Sequence, residues 1–171
     1  MKNIYLLLLL FATFTMSKAQ IVSLDPATGG AEDEITLTFD AAAGNAELAG
    51  ASKVYIHHGV VTDAPDGTGW TYVIGNWGQD DGVGEMTKVS GETDKWEIKM
   101  SPSVREYFGV PTGTNIFRIS CVFRSADGNT KGTISSGDYG WGEVTSNGDY
   151  FINLDMDNFL SFSEFVQKIL I

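Results

Sequence analysis

The feature that most constrains this fold is a series of short runs in which apolar and polar residues alternate. In KWEIKM, Lys95–Met100, every second residue is apolar, which is typical of a strand with one buried and one wet face. Similar runs begin at Ile35, Lys53, Trp70, Asn115 and Asp149. Turn-forming sequences such as DAPDGTG and SADGN separate them. The chain is therefore predicted to be all-β, an antiparallel β-sandwich.

One segment, SPSVREYFGVPTGT at residues 101–114, breaks the alternation. Ser101 is placed to cap a helix, Pro102 suits a first helical position, and Gly109 with Pro111 would end it. We expect a short helical crossover between the two sheets. The side chains expected to face the sandwich are Val104, Tyr107 and Phe108.

The N-terminus has the pattern of a secretory signal peptide over residues 1–19. Lys2 precedes an apolar run, and Ser17 and Ala19 are small residues at the positions that a signal peptidase reads, so cleavage is expected before Gln20. The apolar run is short for a membrane span. The sequence therefore predicts a secreted, extracellular or periplasmic protein without membrane insertion, and we expect a monomer.

Charge limits the classes of partner. The chain carries 22 Asp and Glu against 11 Lys and Arg, a formal charge of −11. Removing residues 1–19 takes away two lysines and no carboxylate, so the charge falls to −13. An acidic surface repels phosphate backbones and anionic lipids, which argues against nucleic acid and membrane surfaces. Neutral ligands and cations remain as partners.

Cysteine and histidine favour structural roles. Cys121 is the single cysteine, so no internal disulfide is expected, and its alternating strand predicts a buried, inert thiol. His57 and His58 are adjacent in a strand and must point to opposite faces, so they cannot form a two-ligand clamp. His58 follows Ile56 toward the core and is predicted to be a structural histidine.

The stretch WTYVIGNWGQDDGVGEM, residues 70–86, sets three large aromatics beside glycines and carboxylates. Trp70 and Tyr72 share one face of a strand with Ile74, which predicts that both belong to the core. Trp77 follows the strand between two glycines, which favours an exposed flat ring. An alternative stays open, in which Trp77 folds back as a lid on the core.

A carbohydrate site needs such a ring flanked by short polar groups, because sugars have apolar C–H faces and hydroxyl edges. Beside Trp77, the hydrogen-bonding candidates are Asn76, Gln79 and Asp81. A second aromatic loop, GDYGWGEV, contains Tyr139 and Trp141. If the two loops are neighbours, they would form a cleft with two stacking surfaces.

Four stretches carry a resemblance to a known group: KVYIHHGVV, GNWGQDDGVGEMTKV, ETDKWEI and PSVREYFGVPTGTNIFRISCVFRSADG. The chain resembles the Ig-like, starch-binding-like N-terminal modules of exported Bacteroidetes proteins, several of them multidomain alpha-amylase-type glycoside hydrolases. The similarity runs from about Asp25 to Leu154 and covers no catalytic barrel. It implies an Ig-like sandwich over residues 20–154, a tail or truncated following module over 155–171, and a role in polysaccharide degradation.

Two acidic segments have enough oxygen ligands for calcium, and no other cofactor is expected. The first is the loop with Asp80, Asp81 and Glu85, whose spacing matches no known motif. In the tail, Asp155, Asp157 and Glu164 fall at positions 3, 5 and 12 of an EF-hand loop. However, Asn158 replaces the turn glycine and the preceding segment is typical of a strand. A linker into a following module is therefore the favoured interpretation of the tail.

The sequence lacks the motifs of the common catalytic classes: it has no G-x-S-x-G, H-E-x-x-H or P-loop pattern. Paired acids in one loop do not match the separation across a cleft that glycoside hydrolysis requires. We therefore expect a secreted, non-catalytic carbohydrate-binding module, and the resemblance implies a starch-like alpha-glucan as its ligand. The alternative is a structural spacer domain or the truncated N-terminal part of a secreted alpha-amylase-family hydrolase.

Overall fold

The computed structural model describes residues 20–134, 137–138 and 142–154, which form two antiparallel sheets and one short helix. The predicted all-β sandwich is thereby confirmed. The predicted signal peptide and the tail lie outside the described residues and stay predictions. No helix among the described residues is long and apolar enough to cross a bilayer.

The elements follow the predicted runs closely. In chain order they are β1 (Val22–Asp25), β2 (Ile35–Asp40), β3 (Tyr55–Val61), β4 (Thr71–Ile74), β5 (Thr87–Lys88), β6 (Lys95–Met100), α1 (Val104–Phe108), β7 (Arg118–Arg124), β8 (Lys131–Gly132), β9 (Gly137–Asp138), β10 (Gly142–Val144) and β11 (Tyr150–Asn153). The smaller sheet has the order β1-β2-β6-β5. The larger has the order β4-β3-β7-β11-β10-β9, with β8 also paired to β7.

The core lies between the two sheets. Phe39 of β2 and Phe123 of β7 stack across it with ring centroids 4.0 Å apart. Trp96 and Met100 of β6 are buried on the same side, as the alternation predicts. Each such side chain stabilises the fold by roughly 1.5–3 kcal/mol relative to an exposed position. The other face of the larger sheet, turned away from the smaller sheet, is called the outer face below.

The crossover helix is confirmed, but its N-cap lies two residues later than expected. Ser103 is the N-cap and its Oγ accepts a hydrogen bond from the Glu106 N–H at 3.1 Å. Ser101 instead donates to Glu34. Gly109 ends the helix in the left-handed conformation, with φ of 68°. Val104 and Phe108 are buried and Tyr107 packs half-buried against the core, as predicted.

Strand β4 departs from the predicted pattern. Tyr72 has a φ of 50° and is 39% exposed, so the prediction that it belongs to the core is wrong. The pairing of β4 with β3 shifts register between His58 and Val60, as at a β-bulge, and this breaks the alternation. Trp70 is also not in the core between the sheets: it lies half-buried on the outer face, against His57 and Phe151.

Cys121 and His58 are structural, as predicted. Burial raises the pKa of the Cys121 thiol, which keeps it protonated and unreactive. The His58 Nδ1 atom lies 3.2 Å from the Ile56 carbonyl, which can only accept, so Nδ1 carries the proton. Its Nε2 then accepts from the Tyr107 hydroxyl at 2.9 Å. Burial lowers the His58 pKa to about 4.

Candidate functional site

Three connections meet at one end of the sandwich. They are residues 41–54 before β3, residues 75–86 after β4, and residues 125–130 after β7. The register places them together, because Tyr55 at the start of β3 pairs with Arg124 at the end of β7. An ion pair of 2.8 Å between Lys53 and Asp80 joins the first connection to the second. We call this region the loop end.

Trp77 lies on the surface of the loop end and is 45% exposed. Lys131 Nζ lies 5.1 Å from the centre of its ring, and the Arg124 guanidinium lies 5.9 Å away. The edge of His57 meets the ring at 5.8 Å. These neighbours belong to the outer face and its turns, so Trp77 is not a lid on the core between the sheets. It is an exposed ring with fixed surroundings.

A row of aromatic rings continues from Trp77 across the outer face. His57 stacks on Trp70 with centroids 5.9 Å apart and an angle of 28°. Trp70 in turn meets Phe151 of β11 nearly perpendicularly at 6.3 Å. The row covers part of the outer face and packs against the Trp77 ring through His57.

The polar candidates beside Trp77 have distinct positions. Asn76 Nδ2 donates to Asp81 Oδ2 at 2.7 Å, and Asp81 Oδ1 accepts from the Val83 N–H at 3.0 Å. The Asn76 bond holds the pKa of Asp81 below its usual range. The Gln79 side chain is exposed. The structure thus brings Asn76 and Asp81 into one hydrogen-bonded pair that shapes the loop while staying exposed to solvent.

An acidic cluster lies beneath the same loop. The buried Tyr55 hydroxyl lies within hydrogen-bond distance of both Asp80 and Glu85, 2.9 Å from the Glu85 Oε2 atom. Burial, followed by the hydrogen bond to Asp80, raises the Tyr55 pKa to about 12. The hydrogen bond from Lys53 holds the pKa of Asp80 below its usual range. Both carboxylates are therefore already engaged by a cation and a hydroxyl.

The described part of the chain has no group of side chains arranged to bind calcium. In residues 20–134, 137–138 and 142–154, no three His, Cys, Asp or Glu side chains are grouped to hold a metal ion. The tail residues Asp155, Asp157 and Glu164 lie outside the described residues. The calcium prediction for the tail therefore stays a prediction.

Arg124 is a residue of the loop end that the sequence interpretation missed. Its side chain is fully buried, its guanidinium lies 4.6 Å from the centre of the Tyr55 ring, and its four hydrogen bonds all go to backbone carbonyls. The alternation of RISCVFR does place it on the face opposite Cys121. However, nothing in that strand indicates which loops would supply its partners.

Tyr139 and Trp141 lie outside the described residues. Gly142, which follows them, pairs with Ile152, and Ile152 pairs with Ile119 near the start of β7. Trp77 contacts Arg124, at the end of β7. Ile119 and Arg124 are five residues apart, roughly 16 Å along a strand. The cleft shared by the two aromatic loops therefore stays a prediction.

Comparison with known proteins assigns the chain to a family, but the match gives no activity. No curated protein matches the chain. One family model, described as a domain of unknown function, DUF8578, matches residues 22–131. That range is more than half of the 171 residues and includes both Trp77 and Arg124. The chain therefore belongs to the DUF8578 family.

Proposed function

We propose that this chain is an exported, non-catalytic module that binds a neutral, starch-like alpha-glucan through Trp77. The observation that carries the proposal is an exposed indole ring whose neighbours hold it in one place. A flat apolar ring stacks on the C–H face of a sugar. Because the ring is already positioned, binding loses little side-chain entropy.

Charge at the loop end supports a neutral ligand. The charged side chains of the loop end, together with Arg124 and Lys131 beside Trp77, are three cations and five carboxylates, namely Lys53, Arg124, Lys131, Glu47, Asp80, Asp81, Glu85 and Asp127. Their sum is two negative charges, within a chain that is strongly acidic overall. Polyuronates and sulfated glycans would therefore be repelled, whereas uncharged hydroxyls meet exposed amide and carboxylate partners in Asn76, Gln79 and Asp81.

Strand order supports the Ig-like part of the proposal. The smaller sheet, β1-β2-β6-β5, has the chain order of strands A, B, E and D of an immunoglobulin sandwich. In the larger sheet, β4-β3-β7-β11 corresponds to strands C′, C, F and G, with β8 to β10 inserted before the last. The loop end then corresponds to the end at which variable Ig domains carry their binding loops.

Two parts of the proposal, export and an alpha-glucan as the ligand, are supported by the sequence alone. The pattern of residues 1–19 supports secretion, and the resemblance to modules of alpha-amylase-type hydrolases supports starch over other neutral glycans. A polysaccharide outside the cell is a partner that both features favour. The alternative function, a spacer domain of a larger secreted hydrolase, needs no exposed ring at the loop end, so a glycan-binding assay separates the two.

Affinity electrophoresis of the exported chain tests the proposal. We expect retardation in gels with soluble starch, glycogen or pullulan, and none with xylan, β-glucan or polyuronate. Trp77→Ala should abolish the retardation. Tyr72→Asn is the matched control, because Tyr72 is another exposed aromatic, 39% against 45%, that has no ring partner among those described around Trp77.

Mobility unchanged in every gel would favour the spacer function. Retardation lost equally in the Trp77 and Tyr72 variants would indicate nonspecific adsorption to aromatic surface. Thermal denaturation with calcium or a chelator tests the tail: if Asp155, Asp157 and Glu164 bind the ion, the thermal midpoint of the chain should rise with calcium and fall back with the chelator.

A further inference from the structure

Arg124 connects two loops that are far apart in the sequence. Its Nη2 donates to the carbonyls of Asn76 and Gln79, at 2.8 and 3.1 Å. Its Nη1 donates to the carbonyls of Ser125 and Ala126, at 2.9 and 2.8 Å. One guanidinium thus holds both ends of the segment that contains Trp77 and the turn that follows β7.

This arrangement requires an arginine. A guanidinium presents its donors in a rigid planar fork, whereas a lysine ammonium has three donors on one atom and cannot reach four carbonyls on two sides. Hydrogen bonds from a charged donor are each stronger than neutral ones, and removing the donor leaves the carbonyls without partners. The two loops would then lose their shared anchor.

Two glycines show how closely the loops approach each other. Gly78 and Gly128 have φ values of 70° and 73°, in the left-handed region that favours glycine. A Cβ atom on Gly128 would lie 3.0 Å from the Gly78 Cα and 3.0 Å from the Trp77 Nε1. The turn therefore packs directly against the backbone and the ring of the Trp77 loop, and even one methyl group would push them apart.

We infer that Arg124 is the positioning residue of the Trp77 site: it fastens residues 76–79 to the turn at 125–128 and so fixes the indole ring before any ligand arrives. Arg124 is fully buried and cannot touch a glycan itself. Its effect on binding must therefore pass through the placement of residues 76–79, with Trp77 among them. Only the consequence for affinity depends on the proposed function; the placement of the ring does not.

The placement is tested without ligand, by ¹⁹F NMR of the exported chain labelled with 5-fluorotryptophan. The chain has four tryptophans, and loss of a signal in Trp77→Phe and in Trp96→Phe assigns those two resonances. In Arg124→Lys, we expect the Trp77 resonance to move toward the solvent-exposed position and to broaden. The resonance of Trp96, buried in the core, should stay in place and reports that the domain is folded.

A matched control lies on the same strand. Arg118→Lys changes another largely buried arginine of the outer face, six residues away, which donates to Glu143 instead of to the Trp77 loop. It should leave the Trp77 resonance unchanged. Gly128→Ala tests the same contact without removing a charge, and it should move the Trp77 resonance as Arg124→Lys does.

Affinity for soluble starch is then compared in the same variants. We expect Arg124→Lys and Gly128→Ala to weaken retardation by about tenfold or more, and Arg118→Lys to change it by less than about twofold. If Arg124→Lys loses the folded Trp96 resonance, Gly128→Ala decides the placement. A Trp77 resonance that stays in place in each folded variant overturns the inference. If the native chain does not bind starch, the proposed function fails while the ¹⁹F spectra still decide the role of Arg124.

Discussion

Each end of β7 carries a buried arginine, and the two side chains have different hydrogen-bond partners. Arg124 at the loop end donates to four backbone carbonyls. Arg118 at the other end donates mainly to Glu143 at 2.8 Å and at 3.4 Å to the Gly67 carbonyl, beside an open hollow of about 350 Å³. An arginine bound to carbonyls fixes the course of the backbone, whereas an ion pair with a carboxylate that is 45% exposed adds little stability. From this contrast we expect the loop end to be the more rigid of the two.

The largest expected difference is in stability. Arg124→Met should lower the free energy of unfolding by about 3 kcal/mol or more, because several carbonyls lose a charged donor and are left unpaired. Arg118→Met should cost about 1 kcal/mol, since its main partner is half-exposed. Urea denaturation of both variants measures this, and equal losses would remove the contrast between the two ends.

Acid should lower the free energy of unfolding of the whole domain, because the titrating group, His58, belongs to neither end of β7. His58 has a pKa of about 4 in the folded protein and about 6.5 when unfolded, so the unfolded chain binds its proton first. The stability from neutral His58 is present above pH 6.5 and is lost as the pH falls toward 4. The pKa difference corresponds to roughly 3 kcal/mol of unfolding free energy.

His58→Gln should flatten the pH dependence of stability between pH 6.5 and 4. The arginines keep their charge throughout this range, so the Trp77 resonance should report the same acid midpoint as the core Trp96 resonance. A stability curve that keeps its slope in His58→Gln would contradict the role assigned to this histidine.

Trp77→Ala should have a small effect on stability and a complete one on binding. The ring is nearly half exposed, so its removal should cost about 1 kcal/mol of unfolding free energy. Thermal denaturation checks the first expectation and the starch gels check the second. Unfolding caused by this substitution would show that the ring is needed for the fold, and the site would be wrong.

The smallest expected effect is at the Lys53 ion pair. Lys53 and Asp80 are 43% and 50% exposed, and solvent screens such pairs strongly. Lys53→Met should therefore leave the urea midpoint of the chain almost unchanged, even though Lys53 joins two connections of the loop end. A large shift of that midpoint would show that the rigidity of the loop end does not depend mainly on Arg124.

Alternation was enough to predict β6 and the burial of His58 and Cys121, because each depends on which face a residue takes in a regular strand. It failed at Tyr72, where a left-handed residue at a register shift reverses the side-chain direction. The glycines that flank Trp77 favoured an exposed ring but left its packing as a lid on the core open. Arg124 was missed because its partners at Asn76 and Gln79 are more than forty residues away. Such contacts depend on topology, which no local pattern contains.

The most direct test of the account is a ¹⁹F NMR titration of the 5-fluorotryptophan-labelled chain with a soluble maltooligosaccharide. Our account predicts that the Trp77 resonance shifts saturably with ligand, that Trp96 stays in place, and that Tyr72→Asn titrates like the native chain. A Trp77 resonance that does not move at saturating oligosaccharide would contradict the central claim that this ring is the glycan-binding surface.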